Sequence, residues 1–332
     1  MTLRMELGEN GYDIVIERGC LKKAGTLLDL DRKALIVTDD GVPPQYAKTV
    51  AGACKAPTVV TIPQGEGSKS FPVLEQLLSR MLAAGFSRSD CVCAVGGGVV
   101  GDLSALAAAL YMRGIDFYNV PTTLLSQADS SIGGKTGIDL DGVKNIVGTF
   151  SQPKKVLIDP DLLATLPPRQ VAAGHAEIVK AGLIADAELF SLYESGEVDV
   201  AEALRRALLV KKRVVEEDER EGGLRRILNF GHTLGHGIES VTGLLHGECV
   251  ALGMIPMCSP AVRARLIPVL ARLGLPTAVS ADPDKVYAAL LHDKKAAGGK
   301  IVSVFVDEIG ACKQIALSPA LLREKIETVV TR

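Results

Sequence analysis

Five histidines occur among 332 residues, and two of them, His232 and His236, stand four apart in LNFGHTLGHGIE (228–239). A third, His246, follows in LLHGECV. Residues four apart on a helix share a face, so both imidazoles can address one ion or one proton. The pattern His-Glu-x-x-His is absent, because Thr233 stands where its glutamate would be. Glu177, Glu221, Glu239 and Glu248 are candidate carboxylates to complete a site. Two imidazoles and one carboxylate with an open position form the donor set of a catalytic zinc. Spacing alone is equally compatible with metal binding, proton transfer or core packing. It also leaves open which two histidines would ligate.

Other residues suggest anion binding. AVGGGVVGDL (94–103) reads as strand, then Gly96-x-Gly98-x-x-Gly101, then helix. Glycines admit a ligand close to the backbone, and the helix start offers free N–H groups to a pyrophosphate. A tight structural turn would also use these glycines. SSIGGKTGID (130–139) is not a P-loop, since its first glycine would fall at Asp129. Lys135 there is a point charge aimed at an anion, or else a solvated loop lysine. GVKNIVG (142–148) repeats the theme with Lys144 and Asn145. In VAEALRRALLVKKRVVEED, Lys211 interrupts an apolar stripe of Leu204, Ala207, Leu208, Val214 and Val215. An ammonium on that side needs a carboxylate or a ligand anion, unless it snorkels to water. Glu177 and Lys180 share a helix face at i, i+3, the spacing of an ordinary helix ion pair.

These groups need a scaffold, and the composition supplies one. The chain is 47% hydrophobic and 23% charged, the profile of a core-forming globular protein. Its 37 basic and 39 acidic residues nearly cancel to −2, so no basic field exists to hold a nucleic acid. No apolar segment approaches the roughly 20 residues of a membrane span, and the N-terminal MTLRMELGENGYD has no signal-peptide core. Seven irregularly spaced cysteines argue against a disulfide framework, and Cys91 and Cys93 read as strand-core residues. These features together predict a cytoplasmic protein without nucleic-acid or membrane partners.

Short strand patterns at 34–40, 57–63, 90–98 and 115–121 alternate with helical ones at 71–85 and 103–114. This predicts an α/β N-terminal nucleotide-binding domain with a Rossmann-like parallel sheet. From Ala176 onward helical patterns dominate, at 176–194, 198–218, 226–240, 247–255 and 260–273. The expected division is residues 1–160 and a mostly α-helical C-terminal domain of residues 161–332, with prolines clustering near Asp159–Arg169.

Taken together, the motifs resemble the 3-dehydroquinate synthase family over almost the full length. The resemblance rests on GEGSK (65–69), GGGVVGDLSALAAALYMRG, VPTTLLSQADSSIGGKTGID, KNIVGTF, LPPRQ, GHAEIVKAGLI, DEREGGLRRILNFGHTLGHGIE, HGECVALGM and HDKKAAGG in one order. It implies NAD, a divalent metal (zinc or cobalt), a homodimer, and a sugar phosphate substrate, 3-deoxy-D-arabino-heptulosonate 7-phosphate. In that chemistry transient oxidation of the C5 alcohol acidifies the C6 proton and phosphate leaves. The hydride then returns, and ring opening with intramolecular aldol closure yields 3-dehydroquinate.

The resemblance assigns Glu177, His232 and His246 to the metal and His236 and Glu221 to proton handling. To the cofactor it assigns Asp39, Glu66, Lys69 and the turn residues Gly98, Val99, Val100, Gly101 and Asp102. Thr122, Thr123, Lys135, Lys144, Leu162 and Thr165 complete that set. Arg113, Asp129, Lys135 and Asn145 are implied substrate contacts, with Lys180, Lys211, Arg225, Asn229 and Lys294. Two departures stand out: the loop between His236 and His246 looks about two residues short, and His175 replaces an expected apolar residue. The alternatives are a related sugar phosphate cyclase, which would alter positions such as Asn229, His236 and Lys294, and a metal-dependent polyol dehydrogenase, which would accumulate NADH.

Overall fold

Runs such as Ala34-Leu-Ile-Val37 and Cys91-Val-Cys-Ala94 are apolar at every position, as strands covered on both faces must be. The computed structural model, which describes residues 1–295 and 301–332, places them in a seven-stranded sheet. The strands of the first half are β1 (Thr2–Met5), β2 (Tyr12–Ile16), β3 (Lys33–Asp39), β4 (Ala56–Ile62), β5 (Cys91–Gly96), β6 (Asp116–Pro121), β7 (Ile138–Leu140), β8 (Val143–Val147) and β9 (Lys155–Ile158). The sheet order is β1-β2-β9-β6-β5-β3-β4, parallel throughout except for the antiparallel β1–β2 edge. β7 and β8 form a separate hairpin.

Alternation along the strands feeds two cores. Leu35, Val37, Val92 and Ala94 face one, with Leu74, Leu77 and Leu103 from helices. Ile36, Cys91 and Cys93 face the other, with Ala47 and Leu157. The helices of this half are α1 (Ala24–Leu27), α2 (Pro44–Gly52), α3 (Phe71–Ala83) and α4 (Gly98–Leu110). Asp90 shapes the entry to β5: its carboxylate accepts from the amides of Ser87 (2.6 Å) and Lys33 (3.2 Å).

The chain divides into two units, Met1–Leu166 and Pro167–Arg332. The second is built on α5 (Pro168–Ala185), α6 (Ala187–Ser195), α7 (Val200–Glu217), α8 (His232–Val241), α9 (His246–Met254), α10 (Pro260–Arg272), α11 (Pro283–Lys295) and α12 (Pro319–Glu327). It also holds a short parallel pair, β10 (Val279–Ser280) with β13 (Val330–Thr331), and an antiparallel hairpin, β11 (Ile301–Glu308) with β12 (Ala311–Leu317).

Two boundaries differ from the periodicity. The pattern at 176–194 reads as one helix, but the structure has two. At Asp186 φ is −146° and the side chain caps the next helix by accepting from Leu189 N at 3.0 Å. The pattern at 226–240 also breaks, because Gly231 takes φ +79°, where a side chain would be strained, and α8 begins only at His232. Among the described residues no helix is long and apolar enough to cross a membrane.

Candidate metal and nucleotide sites

Glu177 lies in the middle of α5, in a stretch buried from Ala173 to Ile184. His232 opens α8 and His246 opens α9. The two shorter helices approach closely because small residues line their crossing. A Cβ on Gly235 would stand 3.0 Å from the Cys249 carbonyl oxygen, and one on Gly253 would run into that of Gly231. A Cβ on Gly247 would likewise strike the Ala173 carbonyl oxygen of α5. Glycine therefore lets three helices bring three donors together.

The Glu177 carboxylate lies 3.6 Å from His232 Nε2 and 3.5 Å from His246 Nε2. All three ligand atoms fall within 4.8 Å of one another. Donors about 2.0–2.2 Å from one zinc ion, at tetrahedral angles, stand about 3.3–3.6 Å apart, so this donor set fits a divalent cation. The opposite ring nitrogens are engaged too: His232 Nδ1 meets the Phe230 carbonyl at 3.1 Å and His246 Nδ1 meets Glu239 Oε2 at 3.1 Å.

Electrostatics separate the three. Burial works against the Glu177 charge, but the ammonium of Lys180, with which it is ion-paired, and the two imidazoles hold the carboxyl well below its usual range. Burial, with Lys180 close by, pushes His232 down to about 3, leaving a neutral ring with a lone pair to donate. His246 is only partly buried, and carboxylates at both nitrogens outweigh the lowering by burial and push it up to about 10.

The other candidate carboxylates are occupied differently. Glu248 is gripped by Arg169 (2.7 Å at both nitrogens) and accepts from Leu245 N, capping α9. Glu221 accepts from Asn229 Nδ2 at 2.6 Å, in a loop where Asp218 gathers the amides of Gly222, Gly223 and Arg225. His236 is exposed, its ring centroid 5.5 Å from that of His232 and 5.9 Å from that of His246. Lys180, Lys211 and Arg225 are all buried, so Lys211 does sit on the inner side of α7. The side chain of Lys294 lies outside the described residues.

In the first unit the glycine turn joins β5 to α4. A Cβ on Gly96 would meet Val100 Cγ2 at 2.6 Å, and one on Gly98 would meet Ser130 Oγ at 3.1 Å, so the turn is too tight for side chains. The first amides of α4, which lack intrahelical partners, suit a pyrophosphate. Thr122, just past β6, lies beside the turn, its amide donating to the Gly96 carbonyl at 3.0 Å, and Thr123 Oγ1 meets Ser126 Oγ at 2.9 Å. Lys69 is buried and ion-paired with Asp102 (2.8 Å) and Glu66 (3.5 Å), and it also donates to Asn145 Oδ1. Asp39, at the end of β3, accepts from Gly41 N at 2.9 Å, and burial raises its carboxyl. Tyr46 of α2 reaches the Leu162 carbonyl oxygen (3.5 Å) and Thr165 Oγ1 (2.9 Å).

Arg113 and Lys135 are exposed, Asp129 lies in the turn Ser126–Ser130, and Lys144 is exposed on β8. Arg113 (φ +71°), Asn145 (φ +54°) and Glu221 (φ +60°) all adopt the left-handed region that non-glycine residues rarely occupy. Backbone strain of this kind gathers at functional sites, and no sequence pattern announces it. His175, the departure noted above, stands well inside α5. It lies two turns into α5, buried, with Nδ1 2.7 Å from the Tyr193 hydroxyl, and burial pushes it down to about 4.

Comparison with known proteins agrees with this geometry. Residues 59–173 match the 3-dehydroquinate synthase N-terminal family and residues 174–296 its C-terminal counterpart. The 3-dehydroquinate synthase of Streptococcus thermophilus is 42% identical over 348 residues, covering 96% of this chain and 98% of that protein. That of Rhodospirillum rubrum is 44% identical over 344 residues, covering 93% and 89%. Among solved structures, 2-deoxy-scyllo-inosose synthase complexed with carbaglucose-6-phosphate, NAD+ and Co2+ superposes with a TM-score of 0.89 at 26% identity, covering 98% and 99%. The 2-epi-5-epi-valiolone synthase of Streptomyces hygroscopicus, with NAD+ and Zn2+ bound, gives 0.87 at 30% identity, covering 96% of each chain. With both family halves matched in order and relatives above 40% identity along nearly its whole length, the chain belongs to the 3-dehydroquinate synthase family.

Proposed function

We propose that the protein converts 3-deoxy-D-arabino-heptulosonate 7-phosphate into 3-dehydroquinate and phosphate, as an NAD- and metal-dependent phosphate-eliminating cyclase. The observation that carries this reading is the buried Glu177 carboxylate facing two imidazole Nε2 atoms, in a chain over 40% identical to synthases of that name. Two cyclases similar in fold, the inosose and valiolone synthases, stand at only 26% and 30% identity. Residues 1–160 are proposed to hold NAD and residues 161–332 the metal. Zinc as the native ion, a homodimer and a cytoplasmic location belong to the same proposal.

When bound, NAD and the divalent cation supply hydride uptake and return at a substrate carbon and acidification of its hydroxyl. Glu177, His232 and His246 would hold the cation. His236 would take the hydroxyl proton, a reading supported by its exposed ring beside those of His232 and His246. Glu221, held by Asn229, is a second proton-handling group.

Lys180, Lys211 and Arg225 bring fixed positive charge to a substrate carrying a carboxylate and a phosphate, which favours one pose. Arg113, Asp129, Lys135, Asn145 and Lys294 keep the substrate assignment the family resemblance gives them. Asp39, Glu66, Lys69, the turn Gly98–Asp102, Thr122, Thr123, Lys135, Lys144, Leu162 and Thr165 keep the cofactor assignment. Lys69 and Asp102 support it as a preformed polar cluster beside the turn.

The test incubates the protein with the heptulosonate phosphate and follows phosphate release together with NADH absorbance. Expected is phosphate release that EDTA abolishes and zinc or cobalt restores, without stoichiometric NADH. Sustained NADH would instead identify a polyol dehydrogenase. Inertness toward this substrate, with turnover of another sugar phosphate, would identify a sister cyclase.

A further inference from the structure

Glu239 has no role in the chemistry above, yet it contacts a proposed ligand. It lies on α8 three residues after His236 and seven after His232, on the same face, and its Oε2 stands 3.1 Å from His246 Nδ1. A neutral imidazole carries one N–H and one lone pair, and its partner decides which nitrogen has which. A carboxylate accepts only, so Nδ1 keeps its hydrogen, and once a cation takes the place of the other proton the lone pair falls on Nε2, the nitrogen 3.5 Å from Glu177. His232 receives the same instruction from the Phe230 backbone carbonyl at 3.1 Å. His246 has no such backbone partner among the described contacts of its ring; a side chain does the work there.

We propose that Glu239 is a positioning residue: it holds His246 by its Nδ1 hydrogen so that Nε2 is presented, with Glu177 and His232, to the divalent cation. This inference rests on the ligand assignment proposed above. Glu239 also lies near enough to His236 and His246 to serve as a direct ligand of an ion. The positioning role differs from that alternative in its consequence, because the cation then keeps the same donor atoms when Glu239 is replaced. Outer carboxylates of this kind orient metal-bound histidines and raise their basicity, and losing one weakens binding by about 10–100-fold.

The experiment uses the full chain stripped with a chelator and titrated with Co2+, reading visible absorption and affinity by chelator competition. E239A should bind Co2+ about 10–100-fold more weakly with an unchanged band shape. E239Q, whose amide oxygen still accepts from Nδ1, should recover most of the loss, which a merely unsettled helix would not. H232A should lose the site. Wild-type affinity in E239A, or an altered band shape that makes Glu239 a ligand, would overturn the inference while leaving H232A defective. Equal Co2+ binding by wild type and H232A would overturn the ligand assignment itself and the inference with it.

Discussion

Replacing Glu177 by Gln and Lys180 by Met should separate the ion pair on α5 from the cation that Glu177 is proposed to hold. Both side chains are almost fully enclosed, at 2% and 3% exposure. Removing one partner of such a pair leaves a buried charge without its counterion and costs about 3–5 kcal/mol. The two losses should not be equal. In K180M the carboxylate still faces His232 and His246 at 3.6 and 3.5 Å, so the cost falls near the lower limit. In E177Q the ammonium loses its Glu177 partner while the His232 ring stays close by, and the cost approaches the upper one.

For a unit of this size each kcal/mol moves the melting temperature by about 2–4 °C, so the variants should melt roughly 6–20 °C below the chelated wild type. Zinc at a hundred times its dissociation constant adds about 2.7 kcal/mol, roughly 5–11 °C, to any form that binds it. Thermal melting with and without zinc then gives a distinct pattern. The wild type rises, K180M rises at least as far because the cation replaces the missing positive charge, and E177Q does not respond. A zinc-dependent rise in E177Q equal to that of the wild type would refute both the ligand role of Glu177 and the electrostatic reasoning.

H236A should bind the metal with wild-type stoichiometry but turn over about 10²–10⁴-fold more slowly, which metal analysis and phosphate release would measure side by side. G253A should lower stability by several kcal/mol and weaken Co2+ binding as well, because the new Cβ would strike the Gly231 carbonyl oxygen and spread α8 from α9. Asp90 is partly desolvated, which alone would raise its carboxyl, but the amide and hydroxyl of Ser87 and the amide of Lys33 hold it below the ordinary 3.8. A group lowered in the folded state stabilises fully above its unfolded value, and that contribution is lost as pH falls through the folded one. D90N should therefore unfold at lower urea at pH 7, by about 1–3 kcal/mol, and lose less stability than the wild type below pH 3.8.

Periodicity made the sheet legible because its strands are apolar on both faces and are bounded by glycines and prolines. Leu35 and Ile36 serve opposite cores, so every residue of the run had to be hydrophobic. Helix ends were harder. The break at Asp186 depends on a single side-chain cap, and that at Gly231 on one residue with positive φ, neither of which disturbs the apolar count. The stretch Ile301–Glu308 became a strand because β12 returns beside it, a pairing that no local pattern records. Lys211 was the clearest success of local reasoning: an ammonium placed among Leu204, Leu208 and Val215 is buried in the fold.

The histidines show where local spacing stops being informative. His232 and His236 share a face of α8, and an i, i+4 pair would be the natural chelate if the helix acted alone. In the fold, however, α9 crosses α8 on glycines, and His246 presents Nε2 to the carboxylate that His232 also faces, while His236 stays exposed. What brings His246 rather than His236 to that carboxylate is thus the glycine contact between the helices, not the interval along α8. Because Phe230 supplies that partner for His232 and Glu239 supplies it for His246, the two rings should respond differently to mutation. A backbone carbonyl cannot be removed by substitution, so only the His246 arm can be loosened without deleting a proposed ligand. On the proposed assignment, Glu239 is the position where replacement should grade cation affinity instead of abolishing it.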